Sequence, residues 1–227
     1  MKQTRAAAAD GLFSIRSQVD VDFQMLGGSV PVLTIDGIYH DPAAVRRRAL
    51  ELDYVVPPYP YPGRIAEYDQ SDFGIAELVR KMLHLVNSAY LPRVPPIQIG
   101  DRAIGSFDKL HTDFAIVDVH PDQLRDLQRE PHIDNVPVFG LIYLNEAERG
   151  GTMFFRRKGA SQSAPQLGYV GPLDKDWHFL GRIEGKYNRL AIYPGFIPHS
   201  GEIEGDWIKG DDRFTQPRLT QRLVFTP

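Results

Sequence analysis

The second half of the chain consists of short apolar runs separated by segments rich in glycine, asparagine and proline. The runs are enriched in β-branched and aromatic residues, and such runs bounded by turn-forming residues are typical of buried β-strands. The pattern predicts strands over residues 114–119, 136–144, 152–157, 189–196 and 218–225. This half of the chain is therefore predicted to be mainly β.

The first half combines one predicted strand, at 30–38, with two predicted helices. Asp41 followed by Pro42 favours a helix start, since Asp caps an N-terminus and proline fits the first helical position; this helix is expected to reach about residue 53. A second helix is predicted over 72–91, where apolar residues at helical spacing form a stripe suited to packing on a sheet. The proline-rich stretch 54–63, with the run Pro57-Pro58-Tyr59-Pro60-Tyr61-Pro62, is predicted to form no regular structure and is interpreted as an ordered connection or a lid, with the connection preferred.

Length and composition indicate one domain over residues 1–227, with residues 1–20 expected to be flexible. Hydrophobic content of 42% and charged content of 24% are typical of a soluble globular protein. A net charge of −3 argues against broad binding to nucleic acids or anionic membranes. No apolar run approaches the length of a membrane span, and Asp10 interrupts the alanine run at 6–9, so the expected location is cytoplasmic.

The chain contains no cysteine. Disulfides, thiolate zinc sites and iron–sulfur clusters are therefore excluded, and histidine and carboxylate side chains remain as the available metal ligands. One such group stands out. His132 and Asp134 flank a single residue, so in an extended segment both side chains leave the backbone on the same side and can reach one metal ion.

A third ligand must come from a distant part of the chain, and His199, after Pro198, is the candidate. Two imidazoles and one carboxylate form the facial set that non-haem Fe(II) oxygenases use, which leaves positions open for a co-substrate and dioxygen. Alone, an HxD triplet is weak evidence, because such residues often cap turns or lie in surface loops.

Several further segments accompany this pattern in a fixed order. They are Ile142-Tyr143-Leu144-Asn145, Gly150-Gly151-Thr152, Asn188-Arg189-Leu190, Pro198-His199 and Arg218-Leu219-Thr220. With these segments, the chain resembles the prolyl-hydroxylase-like branch of the Fe(II)/2-oxoglutarate dioxygenases over about its C-terminal half.

The resemblance implies roles for individual residues. His132, Asp134 and His199 would bind Fe(II), and Arg218 would anchor the far carboxylate of 2-oxoglutarate, with Thr220 as an added donor. Tyr143 would contact the same carboxylate, although a buried strand tyrosine is equally well explained as core.

Arg222 is a competing anchor, because it shares a strand face with Arg218 and Thr220. The segment 202–217 is longer than the family's usual link between the distal histidine and the arginine, so spacing does not decide between the two. Arg218 is preferred because the Arg-x-Thr pattern matches.

A second HxD triplet, at His111 and Asp113, lacks the segments that follow the first one. We interpret it as structural or facing the substrate rather than metal-binding.

Three pairs of residues, here called the rim residues, lie at 128–129, 156–157 and 177–178. They either line the entrance to the proposed site or are solvated loop positions, and the second interpretation is preferred. Residues 159–176 have the composition of a mobile gate.

The resemblance also implies a fold and an activity. The fold would be mainly β with helices, a double-stranded β-helix (a cupin-like jelly roll) with the N-terminal helices on one sheet. The activity would be hydroxylation of an amino acid, peptide or related small molecule, with Fe(II), 2-oxoglutarate and O2, release of succinate and CO2, and ascorbate as a possible accessory. Halogenation is disfavoured because Asp134 fills the third ligand position.

Two other functions remain open. One is a cupin-like metalloenzyme that uses the same triad without 2-oxoglutarate, in which case Arg218 and Arg222 would be structural. The other is a non-catalytic jelly-roll binding module, against which the complete triad argues. The sequence does not indicate an oligomeric state.

Overall fold

The structure is a computed structural model that describes residues 11–69, 73–146, 150–159, 170–203 and 218–227. These residues are mainly β, with antiparallel sheets and few helices. The strands are β1 (Val21–Leu26), β2 (Val30–Asp36), β3 (Gly63–Glu67), β4 (Gln98–Ile99), β5 (Arg102–Ala103), β6 (Lys109–Val117), β7 (Val138–Tyr143), β8 (Thr152–Arg157), β9 (Trp177–Ile183), β10 (Arg189–Tyr193), β11 (His199–Gly201) and β12 (Arg218–Thr226).

Two sheets carry most of these strands. The larger sheet has the order β1-β2-β10-β7-β12-β6-β3, and every neighbouring pair in it is antiparallel. The smaller sheet has the order β11-β8-β9 and is also antiparallel. β4 and β5 form a separate two-stranded ribbon.

The two faces of the larger sheet bury different apolar clusters, as strand alternation requires. One face packs against the helices α1 (Pro42–Leu50) and α2 (Phe73–Leu85) through residues such as Leu33, Ile142 and Leu223. The other face, here called the inner face, packs with Phe154 and Ile183 of the smaller sheet. This arrangement agrees with the prediction that the N-terminal helices pack on one sheet.

Both predicted helices form, with shorter bounds than expected. The Asp41 side chain accepts a hydrogen bond from the backbone N–H of Ala44 at 2.9 Å, which caps α1, and the helix ends at Leu50 rather than near residue 53. α2 ends at Leu85, and the chain continues as a π-helical turn (Val86–Tyr90) and a 3-10 turn (Leu91–Arg93) before the prolines that follow. A short α3 (Asp126–Arg129) precedes the first HxD triplet.

The strand predictions are correct for the buried strands and wrong at the sheet edges. β1, β3 and β9 were not predicted, because their polar and exposed residues resemble loops. β6 begins at Lys109, so the second HxD triplet lies inside a strand and does not precede it. Phe13 and Ile15, within the segment predicted to be flexible, are buried in the core, and residues 1–10 lie outside the described residues.

The proline-rich segment has no regular structure between Val55, which pairs with Ile65, and the start of β3. Most of the predicted gate lies outside the described residues, which omit 160–169. Among the described helices, none is both long enough and apolar enough to cross a membrane.

A buried asparagine joins the start of β10 to the segment that leads into α1. Asn188 adopts a positive φ of 61°, and its side chain accepts from the backbone N–H of Tyr39 at 2.9 Å and donates to the Tyr39 carbonyl at 3.0 Å. Its own N–H donates to the Tyr143 carbonyl at 2.8 Å. Asparagine suits this position because it tolerates the left-handed conformation and bonds the neighbouring backbone.

We expect Asn188→Ala to lower the free energy of unfolding by about 2–4 kcal/mol, because it strands two buried backbone groups and places a Cβ residue at positive φ. Asn188→Gly loses the same two hydrogen bonds but keeps the conformation, so it should cost about 1 kcal/mol less. Urea denaturation of both variants measures the difference. Wild-type stability in Asn188→Gly would show that the side-chain bonds contribute nothing.

Candidate metal and co-substrate site

The segment containing His132 lies against β11. The N–H of His132 donates to the His199 carbonyl and the N–H of His199 donates to the His132 carbonyl, both at 2.9 Å. This reciprocal pairing brings the two imidazoles side by side, with ring centroids 4.6 Å apart. Two histidines that are far apart in sequence are thus fixed as neighbours by backbone bonds.

Asp134 completes the group. Its N–H donates to the Gly195 carbonyl at 2.8 Å, which holds the segment in place two residues beyond His132. Its Oδ2 lies 3.2 Å from His199 Nε2, and the potential ligand atoms of the three residues all lie within 4.8 Å of one another. The structure therefore brings together the three residues that the sequence proposes as ligands.

The hydrogen bonds of this group suit a metal ion. His199 Nδ1 lies 2.8 Å from the Ile197 carbonyl, and because a carbonyl only accepts, Nδ1 carries the proton. Nε2 of a neutral His199 then presents a lone pair toward Asp134 Oδ2, which is buried and has no hydrogen-bond partner among the described residues. Two facing acceptors 3.2 Å apart repel each other unless a proton or a metal cation lies between them, so the donor set fits a divalent ion.

The pKa values of His132 and Asp134 favour the protonation states that bind a metal. The pKa of His132 is lowered to about 4, chiefly because the surrounding protein disfavours the charged ring and secondly because His199 is close. Burial raises the pKa of Asp134, but His199 and His132 more than offset this, and the net pKa is lowered. Neutral imidazole and ionised carboxylate are the forms that bind Fe(II).

A cavity of about 600 Å³ opens beside the triad, between the inner face and the HxD segment. It is lined by Tyr59, Pro60, Tyr61, Pro62, Val117, Leu127, Gln128, Glu130, His132, Ile133, Asp134, Asn135, Phe139, Leu141, Thr152, Tyr193, His199, Ser200, Gly201, Ile203, Arg218, Thr220 and Arg222. The proline-rich segment forms part of the cavity wall, and the sequence did not predict this role for it.

Arg218 lies in this cavity and is 6% exposed. Its Nε donates to the Gly150 carbonyl at 2.7 Å, and its Nη2 donates to the Gly151 carbonyl at 3.1 Å and to Thr152 Oγ1 at 3.3 Å. Its guanidinium carbon lies 5.8 Å from the centre of the Tyr143 ring. The Gly-Gly-Thr segment is thus the cradle of the arginine.

Glycine is required in this cradle for steric reasons. Gly150 has a φ of +78°, and a Cβ on Gly151 would lie 2.1 Å from the Ile183 carbonyl oxygen. A side chain at either position would displace the carbonyls that hold Arg218. The sequence motif therefore has a physical explanation that does not depend on a ligand.

The charge of Arg218 has no carboxylate partner among the described residues, and its Nη1 makes no hydrogen bond to them. A buried guanidinium without an acidic partner is energetically costly. The remaining N–H groups of Arg218 therefore suit it to binding an anionic group from the cavity.

Arg222, the competing anchor, is already paired. Its Nε and Nη2 each donate to an oxygen of Asp113 at 2.6 Å, and its Nη1 donates to the Tyr59 hydroxyl at 3.1 Å. Because Asp113 neutralises it, Arg222 is less suited than Arg218 to anchor a carboxylate. Sequence reasoning missed this pairing, which depends on the register between β12 and β6.

Thr220 and Tyr143 take different positions. Thr220 is buried and lines the cavity on the same strand face as Arg218 and Arg222. The Tyr143 hydroxyl lies 2.7 Å from Thr152 Oγ1, and Tyr143 is not among the residues that line the cavity. Tyr143 therefore contacts the arginine cradle rather than the cavity.

The second HxD triplet also forms a cluster. His111 Nε2 lies 3.3 Å from Glu67 Oε2 and 3.7 Å from Asp113 Oδ2, and the potential ligand atoms of these three residues lie within 4.8 Å of one another. Both Asp113 oxygens already accept from the Arg222 cation, which disfavours a second cation there. This arrangement favours the structural interpretation.

Of the predicted rim residues, only Gln128 lines the cavity, and its side chain donates to the Tyr61 carbonyl at 2.7 Å. Trp177 lies in β9 and not in a loop; its indole N–H donates to Glu130 at 2.9 Å. Arg156 and Arg157 are exposed, and the Arg157 guanidinium stacks over the Trp177 ring. Sequence reasoning also missed Tyr193, a buried residue of β10 that lines the cavity.

Comparisons with solved structures find distant similarities. A prolyl-4-hydroxylase from Pseudomonas putida is 18% identical, with 81% of this chain and 82% of that chain covered and a TM-score of 0.42. HygX from Streptomyces hygroscopicus, with nickel and 2-oxoglutarate bound, is 13% identical, with 86% and 82% covered and a TM-score of 0.48. YcfD from E. coli is 13% identical, with 86% and 49% covered and a TM-score of 0.37.

Among curated proteins, no match to this chain was found. The model of one protein family matches residues 17–167 and 157–225, which together span most of the chain. The chain belongs to that family, which is described as a family of unknown function (DUF6445).

Proposed function

We propose that this protein is an Fe(II)- and 2-oxoglutarate-dependent oxygenase built on a double-stranded β-helix. One observation carries the proposal: three metal-ligand side chains converge within 4.8 Å in a cavity that also holds a buried arginine with no carboxylate partner among the described residues. A divalent metal would satisfy the first group, and a carboxylate would satisfy the second.

Each residue has a distinct task in this proposal. His132, Asp134 and His199 would hold the metal on one side and leave the cavity side open. Arg218 would bind the far carboxylate of 2-oxoglutarate, with Thr220 as a neighbouring hydroxyl. When bound, Fe(II), 2-oxoglutarate and dioxygen supply an oxidative decarboxylation that yields succinate and CO2 and places one oxygen atom in a substrate C–H bond.

The rest of the cavity would accept the substrate. Tyrosine and proline side chains of 59–62, together with Leu127 and Ile133, give the outer part an apolar character. Its volume suits a small molecule or one side chain of a peptide. We therefore propose an amino acid, a peptide or a related small molecule as substrate, with hydroxylation rather than halogenation because Asp134 occupies the third ligand position.

The first test is the visible charge-transfer band that forms when 2-oxoglutarate chelates Fe(II) under anaerobic conditions. We expect the band in the wild-type protein and its loss in His199→Ala. Iron binding without the band would favour a metalloenzyme that does not use 2-oxoglutarate, and absence of iron binding would favour a binding module. Release of succinate with a panel of amino acids and short peptides then identifies the substrate class.

We expect Arg218→Lys to weaken 2-oxoglutarate binding about ten- to a hundredfold, because lysine keeps the charge but loses the planar fork. Arg222→Lys should change it by less than about threefold, because Arg222 is already engaged by Asp113. Titration of the band measures both affinities, and circular dichroism checks that both variants fold. A larger effect in Arg222→Lys would reverse the assignment of the anchor.

The two HxD clusters give a matched pair of substitutions. His132→Ala should lower Fe(II) affinity by at least about a hundredfold, because it removes a direct ligand and the loss should exceed that from an outer-shell change. His111→Ala should leave the Fe(II) content unchanged. Metal analysis after anaerobic loading and gel filtration measures both, and loss of iron in His111→Ala would move the metal to the second cluster.

A further inference from the structure

Three residues that line the cavity carry a buried side-chain oxygen with no hydrogen-bond partner among the described residues. These oxygens are Asp134 Oδ2, the Tyr193 hydroxyl and Ser200 Oγ. Buried polar atoms are normally bonded, so a concentration of unpartnered atoms in one cavity indicates that a ligand completes them. The proposed metal accounts for Asp134. Ser200 follows His199 on β11, so its side chain leaves the strand on the face opposite to the ligand imidazole.

Tyr193 is therefore the unpartnered group without an assigned role. It is fully buried, and its ring is fixed by three aromatic neighbours: the centroid distances are 5.0 Å to Phe154, 5.1 Å to His199 and 5.8 Å to Phe139. The first two contacts are edge-to-face, with interplanar angles of 80° and 70°. A ring held in this way presents its hydroxyl in one fixed position.

The cavity that Tyr193 lines also contains the charged side chains of Asp134 and Arg218. Tyr193 and Arg218 lie on the same inner face of the larger sheet. The phenol group of a tyrosine is protonated at neutral pH, so this hydroxyl can donate a hydrogen bond. Because the Tyr193 ring contacts His199 and the cavity continues to Arg218, the hydroxyl is placed to meet a ligand that extends from the metal triad toward the arginine.

Tyr143, the tyrosine favoured by sequence resemblance, is placed differently. Its hydroxyl is engaged with Thr152 Oγ1 at 2.7 Å, and the same Thr152 atom accepts from Arg218. Its ring lies beneath the guanidinium. Tyr143 is thus a positioning residue that acts through Arg218 and its cradle.

We infer that the Tyr193 hydroxyl, and not that of Tyr143, donates a hydrogen bond directly to a carboxylate oxygen of the 2-oxoglutarate bound between the metal triad and Arg218. This inference rests on the proposed function. It makes Tyr193 a further co-substrate-binding residue, supplied by the strand that precedes the distal histidine.

The test compares Tyr193→Phe, Tyr143→Phe and Tyr90→Phe. Tyr90 is the control, because its buried hydroxyl donates to the Pro31 carbonyl at 3.1 Å and the residue does not line the cavity. The first readout is the melting temperature of the metal-free protein. Tyr193→Phe removes an unpartnered hydroxyl, so the Tm should stay unchanged or rise by up to about 4 °C, whereas Tyr143→Phe and Tyr90→Phe should lower it by about 2–6 °C.

The second readout is 2-oxoglutarate affinity, titrated anaerobically on the Fe(II)-loaded protein. Tyr193→Phe should weaken it about tenfold with Fe(II) affinity within twofold of the wild type, because one hydrogen bond to a charged acceptor is lost. Tyr143→Phe should weaken it by less than about threefold, and Tyr90→Phe should leave it unchanged.

The possible outcomes separate the two proposals. If the wild type binds 2-oxoglutarate and Tyr193→Phe binds it equally well, the role of Tyr193 is overturned while the proposed function stands. A Tm that falls in Tyr193→Phe as far as in Tyr143→Phe would reveal a partner within the protein and would also overturn the inference. If the wild type binds iron but no 2-oxoglutarate, the proposed function fails, and the inference fails with it.

Discussion

The burial of one guanidinium group is the constraint around which this site is organised. Arg218 belongs to the larger sheet, yet its hydrogen bonds are made to residues 150–152, which lead into the smaller sheet. The arginine therefore joins the two sheets. Among the described residues, two carbonyls and one hydroxyl accept from part of its donors, and no carboxylate pairs with its charge. In the proposed function an anion bound in the cavity would lower the energetic cost of this buried charge, so the arginine that bridges the two sheets would also bind the ligand.

The second arginine on this strand, Arg222, is neutralised by an ion pair within the protein. Arg222 is two residues further along the same strand face, and Asp113 from the neighbouring strand pairs with it through two bonds of 2.6 Å. The Tyr59 hydroxyl adds a third bond and draws the proline-rich segment against the cavity. Arg222 thus shapes the wall of the cavity, and Arg218 faces the interior of the cavity.

The sequence predicts the parts of the molecule whose signal is local. The buried strands are continuous apolar runs, and the HxD spacing alone places His132 and Asp134 on one side of the chain. β1, β3 and β9 were missed because edge strands carry polar residues that resemble loops. The pairing of Arg222 with Asp113, and the engagement of Tyr143 by Thr152, depend on register between strands that are distant in sequence. Burial and cross-strand neighbours, which sequence spacing does not contain, therefore favour Arg218 over Arg222 as the proposed anchor.

The unpartnered groups form a consistent electrostatic pattern across the cavity. At one end of the cavity, Asp134 and His199 present facing lone pairs that favour a cation. At the other end, Arg218 has N–H groups without an acceptor among the described residues, and these favour an anion. A divalent metal alone leaves the arginine uncompensated, and a dicarboxylate alone places negative charge near Asp134. Asp134 and Arg218 carry opposite charges, and a divalent metal and a dicarboxylate add equal charges of opposite sign, so the net charge of the site is unchanged when both are bound. In the proposed function we therefore expect joint occupancy to be favoured over either ligand alone, and the neutral hydroxyl of Tyr193 would add a hydrogen bond without disturbing that balance.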